Sequence, residues 1–335
     1  MKKIIITLTI GCFALLTLAS GLGIWGYKTI MDFSLSPLNI TESQELVLKR
    51  GTSFSSFVST LEQRDFITEG WKLKALVKLK PELAKIRSGF YELEPGESVD
   101  ELLTKLVKGE EKVFSVTLIE GQNIKEWSQI LQALPHSQYD EGVFTEILSD
   151  KGDDSGLPEG KFYPDTYHYV AGDDVKSILL QSYNKMQQEL EKAWAQRATD
   201  LPLKSSYELL IMASIIEKET GKASERPWIS AVFANRLNKG MRLQTDPTVI
   251  YGMGDSYQGN ITRKALHEQT PFNTYKIKGL TPTPITAPSG ASLIAAAQPA
   301  DVNYLYFVSK NDGSHVFSKT LSEHNRAVNK YQRNR

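Results

Sequence analysis

The side chains with the clearest chemical potential lie at the end of residues 207–220, YELLIMASIIEKET, where a nearly all-apolar run closes on Glu217, Lys218 and Glu219. This pattern predicts a helix apolar on every face, and such a helix is buried. Its C-terminal end then carries acids into the protein. At about 100° per residue, Glu217 shares a stripe with Leu210, Ala213 and Ser214, whereas Glu219 lies nearly opposite Leu210. The two acids are therefore not expected to work as a close carboxylate pair. Burial on an apolar face disfavours the charged form of a carboxyl group. That suits a general acid, which must hold a proton near neutral pH until a leaving oxygen takes it. The alternative for Glu217 is a helix-end glutamate paired with Lys218, Lys222 or Arg226.

The segments that follow supply groups able to surround such an acid. Residues 231–237 (AVFANRL) read as helix, stopping at Asn238-Lys239-Gly240. Residues 241–252 (MRLQTDPTVIYG) read as an extended stretch entering a proline-started turn, rich in hydrogen-bonding groups. Phe272-Asn273-Thr274-Tyr275 forms a second polar-aromatic cluster, Tyr304 to Val308 a late strand, and the chain ends in a basic helix. Residues 120–200 read as mostly helical, broken by the Gly/Asp-rich stretch 150–156. Within them, residues 157–167 (LPEGKFYPDTY) crowd aromatics around two prolines, fitting either a sugar-stacking wall or a loop that plugs the core.

Upstream lies a small α+β module. Residues 45–50 alternate as a short strand, and Ser53 is placed to cap a helix carrying Phe54, Phe57, Val58 and Leu61 at helical spacing. A second helix covers residues 69–80. Residues 88–93 read as a strand, 94–98 as a turn, and Val99, Leu102, Leu103, Leu106 and Val107 as a helix ending at Gly109. Residues 113–119 alternate as a strand. The module thus uses strand, Gly-x-Ser turn and short amphipathic helix twice. The part from Gly89 to Gly109 resembles LysM modules, which implies binding of N-acetylated glycan sugars; an ordinary α+β packing unit is the alternative.

The remaining bounds come from charge and composition. The 335 residues carry 39 basic and 39 acidic side chains, so the clustered positive field that a nucleic-acid partner requires is absent. Five histidines without paired spacing assign no metal, and no cofactor is expected. Lys2 and Lys3 precede an uncharged stretch from Ile4 to Tyr27, after which Lys28 and Asp32 return the chain to water. About 24 residues at about 1.5 Å rise each cross a hydrocarbon core of about 30 Å with some tilt. The flanking lysines favour a cytoplasmic N-terminus and a body outside, with Trp25 and Tyr27 at the outer interface. A signal peptide cleaved near Leu18-Ala19-Ser20-Gly21 is the competing reading, but the apolar run continues past that point. Cys12, the only cysteine, lies inside the span, so the body has no disulfide. Residues 32–45 (DFSLSPLNITESQE) read as a tether. The expected organisation is α+β: residues 1–31 as anchor, 32–45 as tether, 46–119 as the LysM-like module and 120–335 as the catalytic domain.

Glu217 in SIIEKET, Ser224-Glu225-Arg226, Asn235-Arg236-Leu237, MRLQTDPTVIYG and FNTY together resemble the MltG, or YceG-like, family of endolytic murein transglycosylases. The resemblance runs from the anchor to the C-terminus. It implies an inner-membrane enzyme with a periplasmic body that cuts glycan strands between N-acetylmuramic acid and N-acetylglucosamine, leaving 1,6-anhydro ends. It also implies Glu217 as the single catalytic acid and base. Gln244, Asp246, Tyr251, Asn273 and Tyr275 become substrate-binding residues, Asn273 holding an acetamido group. Phe272 stands where the family usually has tyrosine. The loop GLTPTPITAPSG (279–290) has threonine and serine where the family has glycine, which puts its conformation in question if positive φ is needed. Peptidoglycan synthases of the same membrane are implied partners. Two other classes compete: a non-catalytic membrane-tethered scaffold that binds peptidoglycan, and a pyridoxal-phosphate lyase using Lys218. The membrane topology and the lack of a glycine-rich phosphate loop oppose the latter.

Overall fold

The computed structural model describes residues 2–333, with only the helical backbone of residues 2–9 described. The chain is mixed α+β and divides into two compact units, Met1–Phe114 and Ser115–Arg335. The division falls inside a strand, where the sequence placed it after Ile119.

The first unit begins with α1 (Lys2–Ser34), in which Ile10–Ser34 is long and apolar enough to cross a bilayer. Lys2 and Lys3, expected to flank the span, have side chains outside the described residues. The helix does not stop near Tyr27. Its last turns enter the core of the unit, burying Ile30 and Ser34 and packing Met31 and Phe33 against the same cluster. Residues 32–45, expected as a tether, are folded. Leu38 is 3% exposed and its N–H donates to Glu97 O at 2.8 Å, while Asn39 N–H donates to Phe66 O at 2.9 Å. The apolar residues set among the polar ones, Leu38 and Ile40, draw this segment onto the module.

The module itself is β1 (Gln44–Leu48), α2 (Phe54–Gln63), α3 (Gly70–Leu79), β2 (Gly89–Leu93) and α4 (Val99–Lys108). The strands pair antiparallel, Leu46 opposite Tyr91, and so join the two strand–turn–helix units. Local signals set the helix ends. The Ser53 side chain accepts from Ser56 N–H, Ser98 and Glu101 form a capping box, and Gly109 ends α4 at φ 74. Leu46, Phe57, Leu61, Leu73, Leu76, Tyr91 and Leu102 fill the core without measurable exposure.

β3 (Val113–Thr117) spans the division and pairs with β4 (Thr166–Val170). The second unit continues with α5 (Ile124–Gln132), α6 (Val143–Asp150), α7 (Val175–Ala195), α8 (Ser206–Glu219), α9 (Arg226–Asn238), α10 (Asp246–Met253), α11 (Arg263–His267) and α12 (Gly290–Ala297). A hairpin of β5 (Tyr306–Ser309) and β6 (His315–Ser318) follows, with Phe307 opposite Phe317, then α13 (Leu321–Val328). At the centre, α8 is packed by α7, α9 and α12. All nine residues from Leu209 to Glu217 are buried, as a helix apolar on every face requires. The expected turn at Asp246-Pro247 is two turns of helix, because proline is accommodated in a first turn where its missing N–H is not needed.

Leu38→Ala is expected to destabilise the first unit by about 2–5 kcal/mol, read from urea unfolding followed by amide exchange in α4. A residue in a loose tether would leave that stability unchanged.

Candidate active site

Among the described residues of the second unit, Glu159, Glu217, Glu219 and Glu225 are withdrawn from bulk solvent; Glu225 is held by His315 at 2.7 Å, and the other three each have their own set of partners. Glu217 ends the buried run of α8. Its Oε1 accepts from Arg226 Nη2 at 3.1 Å. Its Oε2 accepts from Ser289 N–H at 2.8 Å and from Ser289 Oγ–H at 2.5 Å. The lone acid on an apolar face expected from the helix is thus not what the fold makes. A guanidinium and two hydrogen-bond donors meet its two carboxylate oxygens. The Arg226 pairing, raised as the alternative for a helix-end glutamate, is present together with burial.

Two loops and a helix start build this environment. Ser289 belongs to the loop 279–290 and also caps α12, accepting from Ser292 N–H. The same loop is tied to α8 one turn earlier, where Ser214 Oγ accepts from Ile285 N–H at 3.0 Å. Thr286 Oγ–H donates to Gln122 O, and Gly121 N–H donates to Ala287 O at 2.9 Å. Gly121, at φ 77, brings its backbone beside the acid: a Cβ there would lie 4.0 Å from Glu217 Cγ. Lys218 is exposed and donates to Gly121 O at 3.0 Å. Arg226 is positioned as the first residue of α9, and its buried Nε has no partner among the described residues; the same holds for Gln122 Oε1. The doubt over threonine and serine in this loop is removed. Gly279 is the one residue of the loop at positive φ, 86°, and Thr281 and Thr283 are buried with their hydroxyls donating to Thr283 O and Pro284 O.

Glu219 turns the other way, as its place on the helix predicted. It accepts from the Thr245 hydroxyl and borders a cavity of about 500 Å³ shared with Arg236, Gln244, Asp246 and Tyr275. Desolvation raises its pKa to about 7. Gln244 is exposed on this cavity at φ 51, an uncommon conformation for a non-glycine residue. Tyr275 donates its hydroxyl to Asp246 Oδ1 at 2.6 Å, and burial followed by this acid raises its pKa. Three of the expected substrate residues, Gln244, Asp246 and Tyr275, therefore meet around Glu219. Glu217 is not among the lining residues of that cavity.

The remaining two are placed differently. Tyr251 donates to Glu159 Oε2 at 3.2 Å and sets its ring edge-on to Phe272, with centroids 5.0 Å apart. Asn273 is 1% exposed, and its amide donates to the carbonyls of Ala265, Leu266 and Glu268 while its oxygen accepts from Tyr275 N–H. It has no amide proton left for an acetamido group. These bonds tie Asn273 to the backbone of residues 265–275. Glu159 was not singled out by sequence, although it sits in the aromatic segment 157–167. It is buried, takes the Ile124 N–H and the Tyr251 hydroxyl, and desolvation raises its pKa to about 7. Only its place among buried aromatics, beside Phe162, could have marked it. Ser289 was missed because its signal, a serine before a short apolar helix, reads as a cap and nothing more.

Comparison with known proteins gives a consistent set of matches. The description YceG-like family matches residues 46–330. The chain is 32% identical over 303 residues to the endolytic murein transglycosylase of Bacillus subtilis strain 168, covering 84% of this chain and 82% of that one. It is 25% identical to the endolytic murein transglycosylase of Streptococcus pneumoniae serotype 2 strain D39, covering 93% of this chain but only 63% of that longer protein. A yceG-like protein of Listeria monocytogenes of known crystal structure superposes with a TM-score of 0.57 at 29% identity, covering 85% of this chain and 98% of that one.

The raised pKa of Glu159 fixes the sign of one pH effect. The folded state keeps a proton that the unfolded chain releases near pH 4.5, so stability falls as pH rises from about 4.5 to about 7. Thermal unfolding of Glu159→Gln should therefore vary less between pH 5 and pH 8 than that of the parent chain; identical profiles would contradict the assignment.

Proposed function

The chain belongs to the YceG-like family, and on that premise we propose that it is an endolytic peptidoglycan lytic transglycosylase whose acid and base is Glu217. What carries the reading is the joint fact of a buried glutamate at the end of α8, held by Arg226 and Ser289, in a chain similar over most of its length to proteins named for that activity. In its protonated form Glu217 gives its proton to the glycosidic oxygen leaving C1 of N-acetylmuramic acid. Negative charge then develops on the carboxylate, and Arg226, already in place, stabilises it without reorganisation. The carboxylate next takes the proton of the C6 hydroxyl as that oxygen bonds to C1. The product is a 1,6-anhydro end with no water consumed, so one carboxylate serves where ordinary glycosidases use two. Ser289, donating from both N–H and Oγ, fixes which carboxylate oxygen faces outward.

Gln244, Asp246 and Tyr275 are assigned to glycan binding on the cavity beside Glu219, and Tyr251 to supporting that wall through Glu159. The first unit, two helices between antiparallel strands, is assigned as a LysM-like glycan-binding module. α1 is assigned as a retained single-pass anchor of the inner membrane with the body outside, because the helix runs unbroken past Leu18–Gly21 into the module core. Enzymes that polymerise glycan in the same membrane are the partners such a reaction calls for.

Digestion of purified peptidoglycan by the chain, with product masses read by mass spectrometry, tests the reading. Anhydro-muramic ends are expected, and Glu217→Gln should lower their formation by about 10³-fold, within the range for general acid–base catalysis. Reducing ends would make the protein a hydrolase, and an absence of any cleavage would leave a glycan-binding scaffold.

A further inference from the structure

The first unit carries a feature that glycan cleavage does not use. Between α1 and α3 runs a groove of about 610 Å³, bounded by Gly23, Trp25 and Gly26 on one side and Trp71, Lys78 and Leu79 on the other. Its walls are almost wholly apolar yet open. Trp25 is 67% exposed, Trp71 60% and Leu79 50%. On α3, Leu73 and Leu76 face the core, so Trp71, Lys74, Ala75, Lys78 and Leu79 form the opposite stripe at helical spacing. That stripe is aromatic, aliphatic and basic together. Lys72 is engaged with Glu69, and Lys80 with Asp100, but Lys74 and Lys78 make no ion pair among the described residues. The groove follows α1 from Leu22 to Ile30, about 12 Å of helix, so it begins within the apolar span and ends where the span enters the unit's core.

We propose that this groove binds one anionic phospholipid, its acyl chain lying along Gly23 and Gly26 and its phosphate met by Lys78 and Lys74. The inference rests on α1 being a retained membrane anchor. Two observations choose a lipid over a neighbouring protein helix. The groove is continuous with the lipid-facing surface of the span, and the uncommitted ammonium of Lys78 lines it, with Lys74 one turn earlier on the same exposed stripe of α3; an apolar helix could not satisfy these charges but a phosphate does. Tryptophans at its two sides mark the interfacial level at which headgroups sit. A Cβ added at Gly23 or Gly26 would meet nothing within 4 Å, so it is the missing side chains that make the trough.

The test uses the full chain in detergent, titrated with phosphatidylglycerol or phosphatidylcholine of matched acyl chains and read by native mass spectrometry. Each lysine near an anionic headgroup contributes roughly a fivefold preference, so phosphatidylglycerol should be retained at least about tenfold better. The pair Lys74→Gln and Lys78→Gln should erase that preference. Gly26→Leu, whose Cβ meets nothing within 4 Å and whose side chain would occupy the trough, should lower retention of both lipids. Equal retention of the two lipids by the parent chain would overturn the proposal. So would a photo-crosslinking residue at position 71 that captures protein in membranes and no lipid. The intact mass separates the premises: a chain lacking its first 20 or so residues removes the anchor and the groove with it, whereas a full-length mass with equal retention removes the groove alone.

Discussion

A helix apolar on every face can end in carboxylates only if the surrounding chain meets them, because an ion moved from water into an apolar interior loses several kcal/mol of solvation. The second unit is arranged around that constraint. α8 fills the core through nine buried residues, and its last turn delivers Glu217 and Glu219 on different faces. Each is met by other elements: Arg226 at the start of α9 and the distant Ser289 for one, Thr245 and the cavity wall for the other. The outcome differs with the partners. Glu217 is ion-paired with a guanidinium, whereas Glu219 accepts from a neutral hydroxyl and, although Arg236 lines the same cavity, has its pKa pushed to about 7 by burial. Two acids two residues apart on one helix are thereby given different chemistry.

The same constraint explains why the loop 279–290 is so firmly held. Its carbonyls and amides lie against a buried helix and each needs a partner. Ser214, Gln122 and Gly121 supply them, and the threonine hydroxyls close the remainder within the loop. Anchoring Ile285 to Ser214 places Ser289 one helical turn further along, where it reaches Glu217. The loop's backbone bonding and the orientation of the acid are one structure. In the first unit a comparable economy holds: one helix carries the apolar span, and its final turns serve as core, so Ile30, Ser34 and Leu38 fix the module directly to the helix end.

What sequence made legible was local. Ser53 and Gly109 announced helix ends because a cap acts on amides within three or four residues. The burial of α8 and the divergence of its two acids followed from periodicity alone. The failures were all non-local. Ser289 lies 72 residues from Glu217, and no pattern links a helix cap to a distant carboxylate. Asn273 was expected to hold an acetamido group from the family resemblance, yet its amide donates to three carbonyls of residues 265–268. Residues 32–45 looked like a tether because polar residues outnumber Leu38 and Ile40, although those two decide where the segment lies. Glu159 carried little signal beyond its place in the aromatic segment 157–167, since its partners come from α5 and α10.

The central claim is that partner sets, not burial alone, decide which of the withdrawn glutamates does chemistry, with Glu225 set apart by its pairing with His315. Initial rates of glycan cleavage by the single variants Glu159→Gln, Glu217→Gln and Glu219→Gln, measured side by side on folded protein, test it most directly. A fall of about 10³-fold is expected at position 217, and less than about tenfold at the other two. A loss at position 219 equal to or greater than that at 217 would contradict it.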